Sequence, residues 1–153
     1  MCEPYLKQVN KMNIRRALTK MRISANNLEI ETGRYANKTY NEEFINRNER
    51  YCTLCKERGE NIVADEIHVA LHCKSFDNQR EKLIKNFNEK TKNFNSLPDR
   101  EKLIYMLTCE NELAKKVGKF FMDVFTYNRP NQRGVKRKKI NVTKTNKNKK
   151  PVK

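Results

Sequence analysis

The chain has 153 residues, 37% of them hydrophobic, and a formal net charge of +16 at pH 7. This length and composition supply one modest hydrophobic core, so we expect a single small domain. No run approaches the roughly 18 consecutive apolar residues that a membrane-spanning helix needs, and the N-terminus lacks an apolar signal core. The composition excludes a membrane protein and predicts a soluble, intracellular one.

Ahead of the C-terminal tail, the chain is predicted to be mostly α-helical. A first helix is expected over about residues 5–22, and Gly33 stands where a helix end favours a left-handed residue. Beyond the cysteines, a helix over about residues 78–92 precedes one through residues 103–107. The only strand signals are short pieces near the cysteines.

The last helix has the clearest amphipathic pattern. It follows Asn111, a good N-cap residue. Its apolar residues repeat at helical spacing and are Leu113, Val117, Phe120, Phe121, Val124 and Phe125. This stripe is expected to be buried in the core.

Three of the five cysteines and both histidines lie in one stretch, with the spacing Cys52-x2-Cys55-x12-His68-x4-Cys73. A Cys-x2-Cys turn directs two sulfurs at one ion, and a second pair about a dozen residues later completes a tetrahedron. In a reducing compartment, clustered cysteines in odd number favour a metal or free thiols over a disulfide framework. Thiolates with an imidazole suit zinc better than calcium or magnesium. The pattern predicts one structural Zn²⁺, with no position left for a catalytic water.

The fourth ligand of this site has two candidates. On an unbroken helix of 3.6 residues per turn, His68 and Cys73 would point about 140° apart, so the helix must end or distort near Cys73. His72 is the alternative fourth ligand, because residues at i and i+4 share a helix face. The affinity of zinc for thiolate favours Cys73.

Positive charge is concentrated in the tail. Residues from Arg129 onward contain eleven of the 34 basic residues and no acidic residue. With few apolar side chains to offset the entropy of ordering, residues 129–153 are predicted to be disordered. Such a tail attracts polyanions, most often nucleic acid, and the alternative is a solvated spacer. Its densest cluster, which also fits a nuclear import signal and favours the nucleus over the cytoplasm, is Lys136, Arg137, Lys138 and Lys139.

The sequence resembles the C-terminal region of LINE-type (non-LTR) retrotransposon reverse-transcriptase polyproteins, over roughly residues 14 to 129. There a pattern similar to ALTKMRISANNLEIETGRY precedes a CCHC zinc knuckle with an acidic stretch before its histidine. The matching residues are Leu18, Arg22, Gly33, Arg34, Tyr35, Cys52, Cys55, Asp65, Glu66, His68 and Cys73. The chain departs from this pattern at Ala64, where an acid is common, and at Lys74, where proline often follows. The resemblance implies Cys73 as the fourth ligand.

The resemblance also implies binding of RNA or DNA by a fragment or remnant of such a polyprotein. The expected contacts to nucleic acid ahead of the tail are cations, namely Arg15, Arg16, Lys20, Arg22, Arg34, Lys56, Arg58 and Lys74. Tyr51 or Tyr35 would stack on a base. No membrane or small-molecule substrate is expected as a partner.

Two other functions compete with this interpretation. A metal-stabilised protein interaction module would dock a partner on the last helix if Phe120, Phe121 and Phe125 were exposed. An enzyme is not expected, because no nucleophile is paired with a base and both histidines lie in the metal cluster. The string around Asp123 also lacks the paired aspartates of a polymerase.

The expected organisation is therefore a small helical domain built around a CCHC zinc knuckle. Residues 1–50 form an N-terminal helical segment and connection, and residues 51–76 form the knuckle. Residues 77–128 form C-terminal helices that pack in the same domain, followed by the tail.

Overall fold

The computed structural model describes residues 3–34, 44–91 and 93–127. This part of the chain is mostly helical and contains no strand, only one isolated antiparallel bridge between Tyr51 and Val63. The prediction of a mostly α fold is confirmed. The predicted disordered tail, with its cluster at residues 136–139, and Tyr35 lie outside the described residues. None of the described helices is long and apolar enough to cross a membrane.

The described residues contain seven α-helices. The α-helices are α1 (Pro4–Gln8), α2 (Met12–Arg22), α3 (Glu29–Thr32), α4 (Thr53–Lys56), α5 (Asp77–Lys90), α6 (Asp99–Thr108) and α7 (Asn111–Tyr127). Short 3₁₀ turns occur at Arg47–Glu49, Lys74–Phe76 and Phe94–Ser96, and a π-helical turn occurs at His68–His72.

The first predicted helix is divided into α1 and α2, which corrects the expectation of one helix over residues 5–22. The break falls at Val9, whose backbone is extended and whose side chain is buried in the core. The Val9 carbonyl accepts a hydrogen bond of 2.9 Å from the Arg15 side chain. A side-chain donor and a buried apolar contact at the break therefore offset the loss of helical continuity.

Gly33 has a different role from the left-handed helix end expected for it. Its φ is −70°, in the right-handed helical region. A Cβ at this position would lie 2.9 Å from Cγ and Cδ of Arg50. The side chain of Arg50 is buried and donates to the carbonyls of Ile30 (2.8 Å) and Ile45 (3.0 Å). Gly33 thus makes room for an arginine that joins α3 to the segment entering the cysteine cluster.

The centre of the fold is the packing of α2 against α7. Gly118 of α7 lies directly against α2, where an added Cβ would be 2.5 Å from Cγ2 of Ile14 and 3.0 Å from Cδ1 of Leu18. Absence of a side chain at residue 118 therefore permits the two helices to approach closely. This contact fixes the N-terminal segment to the C-terminal helices.

The apolar stripe of α7 is buried, as its pattern predicts. Phe120, Phe121 and Phe125 are only 3%, 0% and 8% exposed. Their burial counts against a protein-docking role for this face. One hydrophobic cluster includes buried residues from α1 through α7, together with the three cysteines of the spacing motif. The expected knuckle segment and the helices on either side of it therefore share one core.

Candidate metal centre

The first two cysteines stand at the two ends of one turn of helix. Cys52 immediately precedes α4, and its N–H donates to the Ile62 carbonyl at 2.7 Å. Cys55 lies within α4, and the chain then reverses through Gly59, which has a φ of +81° that favours glycine. The Glu29 carboxylate accepts the Thr53 N–H at 3.0 Å and the Thr53 hydroxyl, which ties α4 to α3.

The second pair, His68 and Cys73, is brought together by a π-helical turn. The N–H of Cys73 donates to the His68 carbonyl at 2.7 Å, a bond between residues five apart. A π turn contains more residues than the 3.6 of an α-helical turn, so residues five apart point in more similar directions than they would on an α-helix. The chain then leaves the helix, because Cys73 is extended with φ −64° and ψ 114°. Both the distortion and the ending that the sequence required are present.

The start of this segment is fixed by a side-chain cap. The Asp65 carboxylate accepts the backbone N–H of His68 at 2.7 Å. At its other end, the guanidinium of Arg80 donates to the Cys73 carbonyl and also pairs with Asp77. Arg80 itself is only 4% exposed. These contacts hold the backbone on both sides of the π turn and thereby fix the positions of His68 and Cys73 relative to each other.

The four side chains converge on one point. Cys73 Sγ lies 3.9 Å from Cys52 Sγ and 3.8 Å from Cys55 Sγ, and Cys55 Sγ lies 3.3 Å from His68 Nε2. All four ligand atoms are within 4.8 Å of one another, and all four residues are buried. With Zn–S bonds of about 2.3 Å and Zn–N bonds of about 2.0 Å, a tetrahedron separates two sulfurs by about 3.8 Å and sulfur from nitrogen by about 3.5 Å. The group can therefore hold one metal ion.

The alternative ligand His72 is not in this group. Its side chain is 52% exposed, and Nε2 lies 2.6 Å from Asp99 Oδ2 at the start of α6. The remaining described cysteine, Cys109, donates to the Met106 carbonyl at 3.0 Å, and burial raises the pKa of its thiol to about 11. Cys2 lies outside the described residues. Of the two ligand sets considered from the sequence, the structure brings together the one that includes Cys73 and not the one that includes His72.

The three buried sulfurs are close enough to shift one another's pKa. A hydrogen bond from Cys52 lowers the pKa of Cys73 to about 3, although burial opposes this shift. The pKa of Cys52 is raised, first by its hydrogen bond to Cys73 and then by burial, and burial raises that of Cys55. Thiolates packed this closely repel one another, so all three ionise together only when a positive ion neutralises them.

Several of the cations expected to contact nucleic acid are already engaged within the domain. Arg22 pairs with Glu3 at 2.9 Å and lies over the ring of Tyr5. Arg34 pairs with Glu31 at 3.2 Å, and Arg15 donates to Val9, as described above. Because these charges are partly satisfied internally, they are less available to phosphate.

Among the remaining cations, some are engaged by acidic residues or sulfur and others are not. Lys74 pairs with Glu60 at 2.5 Å, and Arg58 contacts both Glu60 and Cys55. By contrast, Arg16, Lys20 and Lys56 are exposed, and none of the ion pairs among the described residues involves them. Tyr51, half-buried in its bridge to Val63, is less accessible to a base than an exposed ring.

Four residues whose hydrogen bonds support the backbone around the site were missed in the sequence analysis, namely Glu29, Arg50, Asp65 and Arg80. The cap by Asp65 had a local signal, because an aspartate directly before a helical segment commonly accepts a backbone N–H from the first turn of that segment. Glu29, Arg50 and Arg80 had none, because their partners are backbone groups that come close only in the folded chain.

No family model, curated protein or solved structure matches this chain. What the fold and the site define is a small helical protein with a buried Cys₃His group that could hold one metal ion.

Proposed function

We propose that the Cys₃His group holds one structural Zn²⁺. The observation that supports this most directly is the match between two S–S separations of the structure, 3.8 and 3.9 Å, and the edges of a zinc tetrahedron. Cys52, Cys55, His68 and Cys73 would hold the ion, which would cross-link α4 to the π turn. Because protein side chains fill all four positions, the proposed role is non-catalytic.

We further propose that the chain binds RNA or DNA through its excess of positive charge. The support is the net charge of +16, the acid-free run from Arg129, and α2, which has four basic residues and no acidic one. Arg16 and Lys20 are four residues apart on the solvent side of α2, so they can meet neighbouring phosphates of one strand. A nuclear location, suggested by the cluster at residues 136–139, belongs to the same proposal.

Binding to a labelled single-stranded oligonucleotide should weaken steeply with salt. If six phosphates are contacted, the plot of log affinity against log salt should have a slope near −4, from about −0.7 per phosphate. The double variant Arg16→Ala with Lys20→Ala should reduce the magnitude of that slope by about 1 to 1.5. Fluorescence anisotropy across a salt series measures both quantities.

The matched control for that experiment is Lys82→Ala with Lys85→Ala, which removes two exposed cations from α5. We expect its salt slope to stay close to that of the original chain. Equal effects from the two double variants would reject a specific role for α2. A slope of zero in the original chain, or no measurable binding, would reject nucleic-acid binding through positive charge.

We propose that the chain derives from the C-terminal region of a non-LTR retrotransposon polyprotein. The support is the sequence resemblance, together with the convergence of the four knuckle residues that it implies as ligands. The origin predicts that the genomic locus encodes, upstream and in the same orientation, an intact or decayed polymerase with paired metal-binding aspartates. Long-read sequencing of the locus and its transcripts tests this prediction. An upstream sequence unrelated to a polymerase, found at this locus and at other loci that encode similar chains, would reject it.

A further inference from the structure

The side chain of Arg58 lies directly on one of the metal-binding sulfurs. One terminal nitrogen of its guanidinium is 3.1 Å from Cys55 Sγ, and the other donates to the Ser75 hydroxyl. Ser75 follows the last proposed ligand by two residues. Arg58 therefore joins the turn after Cys55 to the turn after Cys73 while touching the sulfur itself.

Two further charged residues, Glu60 and Lys74, lie beside Arg58. Glu60 lies 3.7 Å from Arg58 and 2.5 Å from the Lys74 ammonium. Arg58, Glu60 and Lys74 together contribute one net positive charge. A zinc ion with three thiolates and one neutral imidazole has a net charge of about −1. The three residues at the rim of the site thus neutralise the charge of the occupied centre.

A hydrogen bond from a charged donor to a ligand atom is stronger than one between neutral groups, and such outer contacts orient the ligands of a metal site. Cys55 is 1% exposed, whereas the Arg58 side chain is 35% exposed. The guanidinium therefore lies between the Cys55 sulfur and solvent. In this position it can stabilise the metal-bound thiolate and restrict the access of solvent and chelators to it.

We propose that Arg58 is a positioning residue of the metal centre. It acts by donating a charge-assisted hydrogen bond to the Cys55 thiolate, which strengthens metal retention, and it is not one of the contacts to nucleic acid. This inference rests on the proposed zinc site. It assigns to Arg58 a different task from the neighbouring cation Lys56, which is exposed and is in none of the described ion pairs.

The test compares Arg58→Ala, Arg58→Lys and the matched control Lys56→Ala in the full chain. Zinc affinity is measured by competition with a chromophoric chelator. Arg58→Ala should lose about 10- to 100-fold in affinity, the range found when outer partners of metal ligands are removed. Lys56→Ala should change it less than about twofold, because it removes the same charge without touching a sulfur. Arg58→Lys should recover part of the loss.

A spectroscopic readout separates this role from simple loss of stability. With Co²⁺ in place of zinc, Arg58→Ala should shift the thiolate-to-cobalt charge-transfer bands, because one sulfur loses a hydrogen bond, whereas Lys56→Ala should leave them in place. Circular dichroism of the metal-loaded variants verifies that each is folded.

Equal zinc affinities for Arg58→Ala and Lys56→Ala, or unshifted cobalt bands in Arg58→Ala, would overturn the role of Arg58 while leaving the zinc site intact. So would a larger loss of oligonucleotide binding in metal-saturated Arg58→Ala than in Lys56→Ala. If the original chain binds neither zinc nor cobalt at one ion per molecule, the proposed zinc site fails, and the role of Arg58 fails with it.

Discussion

Removal of zinc is expected to unfold the segment from residue 44 to residue 76. The purified chain should contain one zinc ion per molecule, and a strong chelator should abolish amide protection around α4 and the π turn. Structural zinc in small modules contributes an apparent binding free energy of about 10–16 kcal/mol. That is comparable with the whole unfolding free energy of a typical domain, about 5–15 kcal/mol. Hydrogen exchange followed by mass spectrometry, with metal analysis of the same sample, makes the measurement.

The two histidines provide matched variants for this prediction. His68→Ala removes a member of the buried group and should lower zinc content and bring the same loss of protection without chelator. His72→Ala removes an exposed side chain that pairs with Asp99 and is not in the Cys₃His group, so zinc content should be unchanged. The proposed centre would be contradicted if the purified chain contained no zinc, or if the chelator left its amide protection unchanged. Equal zinc loss in both variants would contradict the assignment of His68 alone.

Replacement of Phe121 by alanine is expected to cost about 3–5 kcal/mol of unfolding free energy, measured with zinc held in excess. Phe121 is fully buried, and its ring centroid lies 5.3 Å from that of Phe120 and 6.4 Å from that of Phe125. Truncation leaves a cavity where α7 packs against the core, and the close contact of Gly118 with Ile14 and Leu18 limits how far the helices can relax to fill it. Urea denaturation followed by circular dichroism gives the difference.

Phe44→Ala is the control for Phe121→Ala. Phe44 is 61% exposed, and the guanidinium of Arg50 lies over its ring, 5.6 Å from the ring centre. Its loss should cost no more than about 1 kcal/mol, because an exposed cation–π contact contributes little. Similar costs for the two variants would show that α7 does not provide the main core contact.

The elements that could be predicted from the sequence are those with a strong local signal. The stripe of α7 has helical periodicity over its whole length, so its burial followed from pattern alone. The metal group could be predicted because Cys52 and Cys55 are close in sequence and the second pair follows at a spacing that zinc sites share. In both cases the residues that form the feature are near one another along the chain.

The features that could not be predicted depend on contacts between distant segments. The break before α2 is stabilised by the Arg15 side chain. Residue 33 has no room for a larger side chain because Arg50 packs against it. Similarly, Arg58 appeared to be one more surface cation until the fold placed it on Cys55. Helical periodicity contains no information about a partner that lies in another segment, so the roles of these arginines became visible only in the folded chain.

The π turn between His68 and Cys73 has a consequence for how this chain can diverge in evolution. Only four residues separate the turn from α5, which contributes Leu83 and Phe87 to the core. Losing or gaining one residue within the turn would rotate the following helix by about 100° relative to the proposed metal ligands. Natural variation here should therefore consist of substitutions without gaps. In comparisons with distant homologues, the fixed length from His68 to Phe87 would be a more durable marker of descent than the identity of the residues between them.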